Sequence, residues 1–192
     1  MFPVARKNQE VKNKIMENND SSNKQALSIN KDSDTDNKLI ASSMIKMVIQ
    51  NFNQNTQLVY EKPNRSKILV KNESLVEVAL YLRNNYGLDH VESMSGTDFP
   101  VDKEIEINYH LGSYINQELH PYIMNLATRV NRDDAKSNSL INIFPSVEYF
   151  ERETYEMLGV YFIGHPRNEL FLLPEDWADL PPLRKDFKLK GR

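Results

Sequence analysis

Glutamates are the residues in this 192-residue sequence whose type and spacing first suggest chemistry. Glu148, Glu151, Glu153 and Glu156 lie within residues 144–177, the stretch with the only Trp and the densest run of Tyr, Phe and Glu. Paired carboxylates can serve as general acid and general base. Successive residues of a helix are about 100° apart, however, so these four side chains point in several directions. A small acid–base enzyme that uses this glutamate-rich helix is therefore only an alternative interpretation.

Other side chains that could hold a metal or cofactor do not form a known pattern. His90, His110, His120 and His165 show neither HExxH nor HxxxH spacing. The absence of cysteine excludes a disulfide framework, a thiolate nucleophile and a cysteine-ligated iron–sulfur cluster. The six glycines form no GxGxxG or Walker A loop. We therefore expect no cofactor, no metal site and no catalytic site in this chain.

One amphipathic helix must position the glutamates. Apolar residues recur at helical spacing over residues 147–158, Ser146 is a suitable N-cap, and Gly159 follows the last of them. Glu151 falls inside the apolar stripe of this helix. Its carboxyl group must pair with a cation, accept strong hydrogen bonds or stay protonated.

A second face of the same helix is charged. Arg152 lies four residues from both Glu148 and Glu156, so it can pair in either direction along the helix. This face is either a solvated surface or a surface that meets another protein, with Glu151 and Arg152 fixing its register. The following run 160–163 predicts a short strand. Gly164-His165-Pro166 predicts a break, in which the His165 ring bonds nearby backbone. The apolar run 170–173 predicts a second extended segment that pairs with the first, as a hairpin or as paired extended segments.

Five short motifs follow one another through this region: ERE at 151–153, YEMLG at 155–159, GHP at 164–166, LPEDW at 173–177 and PLRKD at 182–186. In this order they resemble the signature of the 30-kilodalton subunit of respiratory complex I, which is the C subunit of NADH:quinone oxidoreductase. The resemblance extends back less distinctly to the region around Asn72. It does not cover the segment that ends near Asp36.

The resemblance implies a non-catalytic structural subunit of the peripheral arm. Such a subunit braces the large quinone-site subunit (D-like) and the iron–sulfur subunits (B-like and I-like), which hold the quinone and the clusters. The assembly couples electron transfer to proton translocation, on the cytoplasmic face of the membrane or the matrix side if organellar. The signature residues would form the interface and its support: Glu151, Arg152, Glu153, Glu156, Gly159, His165, Pro166, Pro174, Glu175, Asp176, Trp177, Leu183, Arg184, Lys185 and Asp186.

The resemblance leaves two matters open. A docking subunit of a related membrane-bound hydrogenase, or of another energy-converting complex, is a second interpretation. The electron donor of the complex could be NADH, a reduced ferredoxin or a reduced deazaflavin.

Composition divides the chain into three parts. Residues 1–38 are rich in Asn, Lys, Ser and Asp, which predicts a disordered extension. Residues 39–178 form the folded domain, and Pro181-Pro182 predicts an extended basic docking tail over 179–192. A net charge of −3 gives no general attraction to nucleic acid, and no apolar run approaches the roughly 20 residues of a membrane span.

The remaining periodicity predicts an α+β domain with a mainly antiparallel sheet covered by helices on one face. Predicted helices are 39–52, a helix opened by a capping box at Ser74–Glu77 and closed at Gly87, and a short helix from Ser139. Predicted strands are 57–60, 67–71, 89–96, 104–111 and 122–130, with a turn at 97–102.

Overall fold

The computed structural model describes residues 39–174 and 181–188. A five-stranded sheet consists of β1 (Thr56–Lys62), β2 (Arg65–Val70), β3 (His90–Phe99), β4 (Glu104–Gly112) and β5 (Ile123–Asn131). Their spatial order is β1-β2-β5-β4-β3. Only the central β2–β5 pair is parallel; the other neighbours are antiparallel. The predicted α+β fold with a mainly antiparallel sheet is confirmed.

Three helices pack against the apolar face of this sheet. They are α1 (residues 39–51), α2 (Leu75–Tyr86) and α3 (Glu148–Leu158). Met44 of α1, Leu82 of α2 and Ile107 of β4 are fully buried in the shared core. A separate parallel pair, β6 (Lys136–Asn138) and β7 (Tyr161–Ile163), joins the segment before α3 to the segment after it.

Strand β4 shows why the alternation of polar and apolar residues over 104–111 predicted a strand so clearly. Ile105, Ile107 and Tyr109 face the helices and are fully buried. Glu106, on the opposite face, is also buried, because Lys67 Nζ lies 2.5 Å and Arg129 Nε 3.0 Å from its carboxylate. Burial alone would raise the pKa of Glu106, but these hydrogen bonds outweigh it and the pKa is lowered.

Helix α2 ends as the sequence predicts but begins differently. Gly87 closes the helix with a φ of 71°, a left-handed conformation that costs glycine little. The Ser74 side chain makes no capping hydrogen bond, so the predicted capping box is wrong. Val78 is buried in the core, whereas Val76 and Leu80 are exposed.

The segment before α3 corrects two predictions. Residues 139–144 form a single turn, in which the Leu140 carbonyl accepts from Ile143 and Phe144, rather than a helix from Ser139. Helix α3 begins at Glu148 after a 3₁₀ turn. The Ser146 hydroxyl does not cap it, because that hydroxyl bonds the backbone of Val91 on β3 instead.

Two further differences lie in the strands. Strand β3 continues to Phe99, so the turn begins at Pro100 rather than at Thr97. The predicted hairpin after α3 is wrong: β7 pairs in parallel with β6, and residues 170–173 form bends without a strand. The backbone N–H groups of those bends bind a side chain of α3, so they are not free to form a ladder.

Predictions for residues 1–38, for Glu175, Asp176 and Trp177, and for residues 189–192 lie outside the described residues. In the part of the chain that is described, no helix has the length and apolar character needed to cross a membrane.

Candidate functional site

Helix α3 buries three of the charged residues that the sequence singled out. Glu151 is fully buried, and Arg152 and Glu156 retain only 8% and 4% exposure. The charged face is therefore not a solvated surface. It is covered by residues 165–173, which cross it and engage its charges through hydrogen bonds.

Glu151 lies in the apolar stripe and accepts three hydrogen bonds. Its donors are the Ser139 hydroxyl at 2.5 Å, the Leu140 backbone N–H at 2.9 Å and the Tyr109 hydroxyl at 3.2 Å. No cation pairs with it among the described residues. Burial therefore outweighs the hydrogen bonds and raises the pKa of Glu151 to about 7.

Glu156 holds a loop rather than a cation. Its carboxylate accepts the backbone N–H groups of Phe171 at 3.4 Å, Leu172 at 3.1 Å and Leu173 at 2.6 Å. Three consecutive N–H groups directed at one anion form a concave nest. The carboxylate thereby fixes the backbone of residues 171–173 on the outside of α3.

Arg152 supports the same loop from beneath. Its Nη2 donates to the Leu170 carbonyl at 3.3 Å, and its guanidinium lies 4.6 Å from the centre of the Phe171 ring. The predicted pairing along the helix is absent, since Glu148 pairs with Arg167 and Glu156 binds backbone. Among the described residues, the nearest carboxylate to Arg152 is that of Glu169, at 3.9 Å.

His165 fixes the start of the covering segment. Its Nδ1 accepts the Arg167 backbone N–H at 3.0 Å, so Nε2 carries the proton and donates to the Glu148 carbonyl at 3.1 Å. The ring is buried at 7% exposure. The predicted bonding of this ring to nearby backbone is confirmed.

The PLRKD segment lies against the end of α3. The Leu183 N–H donates to the Met157 carbonyl at 2.9 Å, and Arg184 Nε donates to the Leu158 carbonyl at 2.7 Å. A Cβ on Gly159 would lie 3.0 Å from Pro181 and 3.1 Å from Arg184, so glycine permits this close approach as well as its φ of 73°. The segment therefore satisfies carbonyls that the helix end leaves unpaired.

An ion-pair cluster secures this segment further along. Arg132 binds Asp98 through two contacts of 2.7 and 3.1 Å and reaches Asp186 at 2.6 Å. Asp98 also accepts the Lys185 N–H at 2.8 Å. The Arg132 hydrogen bond, the largest influence, lowers the pKa of Asp98 although burial opposes it. Residues 182–186 accordingly turn and bind their own domain, which corrects the predicted extended conformation there.

The structure thus brings together most of the predicted signature residues around one helix. Glu153, Pro166 and Pro174 are exposed at its edge. Sequence reasoning missed the residues that support the others: Tyr109, Ser139, Asp98, Arg132 and Phe171. No local pattern marks them, because each comes into contact only through pairing of distant strands or turns.

This arrangement can hold segments of the chain in place, and its two buried carboxylates have different partners. Glu151 and Glu156 bind separate sets of donors rather than converging on one space. Within residues 39–174 and 181–188, no group of three or more His, Asp or Glu side chains could hold a metal ion.

Comparison with known proteins identifies relatives by sequence. Residues 68–192 match the family described as "Respiratory-chain NADH dehydrogenase, 30 Kd subunit". The C subunit of the F(420)H(2) dehydrogenase of Methanosarcina mazei is 36% identical over 128 residues, which cover 67% of this chain and 78% of that protein. The C subunit of the NADH-quinone oxidoreductase of Roseiflexus sp. is 36% identical over 125 residues, covering 64% and 69%. The resemblance drawn from the five motifs is confirmed.

Solved structures share the fold. A chain of the membrane-bound sulfane sulfur reductase, described as an archaeal respiratory membrane complex, aligns with a TM-score of 0.65 and 24% identity over 78% of this chain and 86% of that chain. The trypsin-resistant fragment of Nqo5 aligns with a TM-score of 0.55 and 17% identity, covering 65% of this chain and 98% of the fragment.

Proposed function

Because the chain belongs to the family of the 30-kilodalton subunit of respiratory-chain NADH dehydrogenase, we propose that it is a non-catalytic structural subunit of a complex I-type quinone oxidoreductase. It braces the quinone-site subunit and neighbouring iron–sulfur subunits in the peripheral arm. Those partners carry the clusters and the quinone. The chain holds these partners in fixed positions, because electron transfer between redox centres requires fixed distances between them.

The observation that carries this proposal is that charged side chains around α3 hold backbone segments in place. The buried charges of Glu156 and Arg152 fix a loop, and Arg132 with Asp98 fixes the PLRKD segment. Burying charge is costly, and here it produces rigid backbone at the surface rather than a reactive pocket. A rigid surface lowers the ordering cost of binding a protein partner.

The partners that we propose are a D-like quinone-site subunit and B-like and I-like iron–sulfur subunits. The chain is a peripheral part of a membrane complex, on the cytoplasmic face of the membrane or on the matrix side in an organelle. The basic C-terminal segment 179–192 serves as the docking tail for the quinone-site subunit. No nucleic acid takes part.

A second candidate is a related energy-converting complex with a different electron donor. It is favoured by the relative from the F(420)H(2) dehydrogenase, which is 36% identical to this chain and is matched over 78% of its length. NADH and F(420)H(2) are therefore the donors to compare. Purified complex assayed with each donor and a soluble quinone would distinguish them, because only the true donor supports rapid quinone reduction.

The acid–base enzyme is the alternative of another class. It requires two carboxylates that face a common substrate, whereas Glu151 is enclosed in the core and Glu156 is occupied by backbone donors. Turnover by the purified chain alone would favour it over the structural role.

The deciding experiment is native purification of the tagged full-length chain from solubilised membranes. We expect proteins with cysteine ligands for iron–sulfur clusters to purify with it in fixed stoichiometry. Recovery of this chain only as a free monomer, under detergent conditions that keep other respiratory complexes intact, would contradict the proposal.

A further inference from the structure

Three large apolar side chains stand exposed beside α3. Tyr149 retains 57% exposure, Phe171 38% and Leu172 55%. The rings of Tyr149 and Phe171 have centroids 6.0 Å apart. We refer to these three residues as the α3 ridge. Single exposed apolar residues are ordinary, but adjacent ones with aromatic character resemble the centres of protein interfaces.

The backbone of the α3 ridge is held in place by buried charge. Glu156 accepts the N–H groups of both Phe171 and Leu172, and Arg152 lies 4.6 Å beneath the Phe171 ring while donating to the Leu170 carbonyl. The fold thus buries two charges yet leaves the apolar side chains that they position in water. This arrangement stabilises the domain poorly, but it prepares a surface that loses little entropy on binding.

The edge of the ridge is acidic. Glu153 is exposed four residues after Tyr149 and makes no ion pair in the described part of the chain. The Glu169 side chain is 62% exposed, and the nearest cation to it in the described part of the chain, Arg152, is 3.9 Å away. Arg167 is the neighbouring cation, and Glu148 already pairs with it. The net negative edge favours a partner that carries Lys or Arg.

We propose that the α3 ridge inserts into an apolar cleft of a different protein chain, edged by Lys or Arg side chains that meet Glu153 and Glu169. The assignment of that chain to the same complex rests on the proposed function. The surface and its chemistry rest on the geometry alone. Phe171 and Leu172 are the anchors, and the two glutamates set orientation and the rate of association.

The test compares Leu172→Ser and Phe171→Ser with Val101→Ser in the tagged full-length chain. Val101 is 96% exposed on the turn between β3 and β4. Val101→Ser is therefore a matched control, because it also removes an exposed apolar side chain but at a site away from the ridge. We expect each ridge variant to lower co-purification of partner proteins about tenfold, a typical loss at an interface anchor. Val101→Ser should leave recovery unchanged. Leu172→Ser should melt within about 2 °C of the wild type, because its side chain contributes little to the core.

A second variant tests the charge. Glu169→Lys should lower recovery further as ionic strength decreases, because like charges then repel more strongly. Equal recovery of wild type, Leu172→Ser and Glu169→Lys would overturn the assignment while leaving the structural role intact. If the wild type itself recovers no partner, the proposed function fails instead. A wild-type dimer that Leu172→Ser converts to monomer would replace the proposed partner by a second copy of this chain.

Discussion

At the scale of single residues, Glu151 shows how one environment decides a protonation state. The sequence places this carboxyl in an apolar stripe, and the structure supplies three donors without a cation among the described residues. Hydrogen bonds from neutral groups offset only part of the cost of burying charge. The carboxyl group therefore titrates near neutral pH rather than in acid.

The first prediction concerns the pH dependence of stability. Because the pKa of Glu151 rises on folding from 4.5 to about 7, the folded state binds this proton more tightly than the unfolded state. Its contribution is complete below pH 4.5 and is lost as pH rises to about 7, a decrease of about 3 kcal/mol. Glu151→Gln should abolish that decrease, since an amide can keep the same partners. Urea unfolding at pH values from about 4.5 to about 8 measures the free energy of unfolding of both proteins. The prediction would be contradicted if this free energy depended on pH in the variant as it does in the wild type.

The second prediction concerns the nest around Glu156. In Glu156→Gln the amide N–H₂ cannot accept, and the neutral oxygen accepts more weakly than a carboxylate. The amides of Phe171, Leu172 and Leu173 should then exchange with deuterium at least about tenfold faster, since one lost bond to a charged group is worth about 1.5–3 kcal/mol. Exposed Glu153→Gln is the control. Equal exchange in both variants would show that the loop is held by other contacts.

At the scale of elements, α3 packs closely on β3 at one glycine. A Cβ on Gly96 would lie 2.2 Å from Leu158 Cδ1 and 3.6 Å from Thr154 Cγ2. Leu158 is only 2% exposed, so its side chain has little room to move aside. The distance between helix and sheet is therefore set by the missing side chain of Gly96.

The third prediction tests this packing. Gly96→Ala should destabilise the domain by about 1–3 kcal/mol through overpacking. Leu158→Ala alone should cost about 2–5 kcal/mol, because it leaves a cavity. The double variant should cost clearly less than the sum, since each change relieves the other. Chemical unfolding of the wild type, the two single variants and the double variant gives the four free energies of this double-mutant cycle. Strictly additive losses of stability would mean that the two residues do not compete for space.

At the scale of the whole molecule, two surface segments are held by residues that are distant in the sequence. The loop on α3 and the PLRKD segment are both fixed to the domain by side chains from other elements. A mutation that loosens such a support should therefore affect assembly more than folding.

The fourth prediction separates those two effects at Arg152. Arg152→Ala removes the contact beneath the Phe171 ring and the hydrogen bond to the Leu170 carbonyl. The recovery of partner proteins should therefore decrease strongly, whereas the melting temperature of the isolated chain should decrease only slightly. Arg152→Lys should rescue only part of the loss, because Lys has no planar guanidinium to lie against the ring. Proportional losses in assembly and stability would make Arg152 an ordinary folding residue.

Local patterns in the sequence predicted much of this fold. Alternation in β4 and helical spacing in α3 report which residues face a core, and Gly87 and Gly159 mark helix ends because left-handed backbone favours glycine. The capping box at Ser74 and the hairpin after α3 were predicted wrongly. The backbone donors of residues 171–173, which the hairpin would have used, bind the Glu156 carboxylate instead, so a tertiary contact decided their partner.

The sequence by itself determined the family, the α+β class and the presence of a charged, glutamate-rich helix, because these depend on residue order and periodicity. Only the tertiary structure decided that Glu156 binds backbone, that Glu151 is held by neutral donors and that Asp98 and Arg132 hold the PLRKD segment. Those contacts join residues far apart in the chain. The partner of a buried charge is set by which elements meet around it, and no local spacing encodes that meeting.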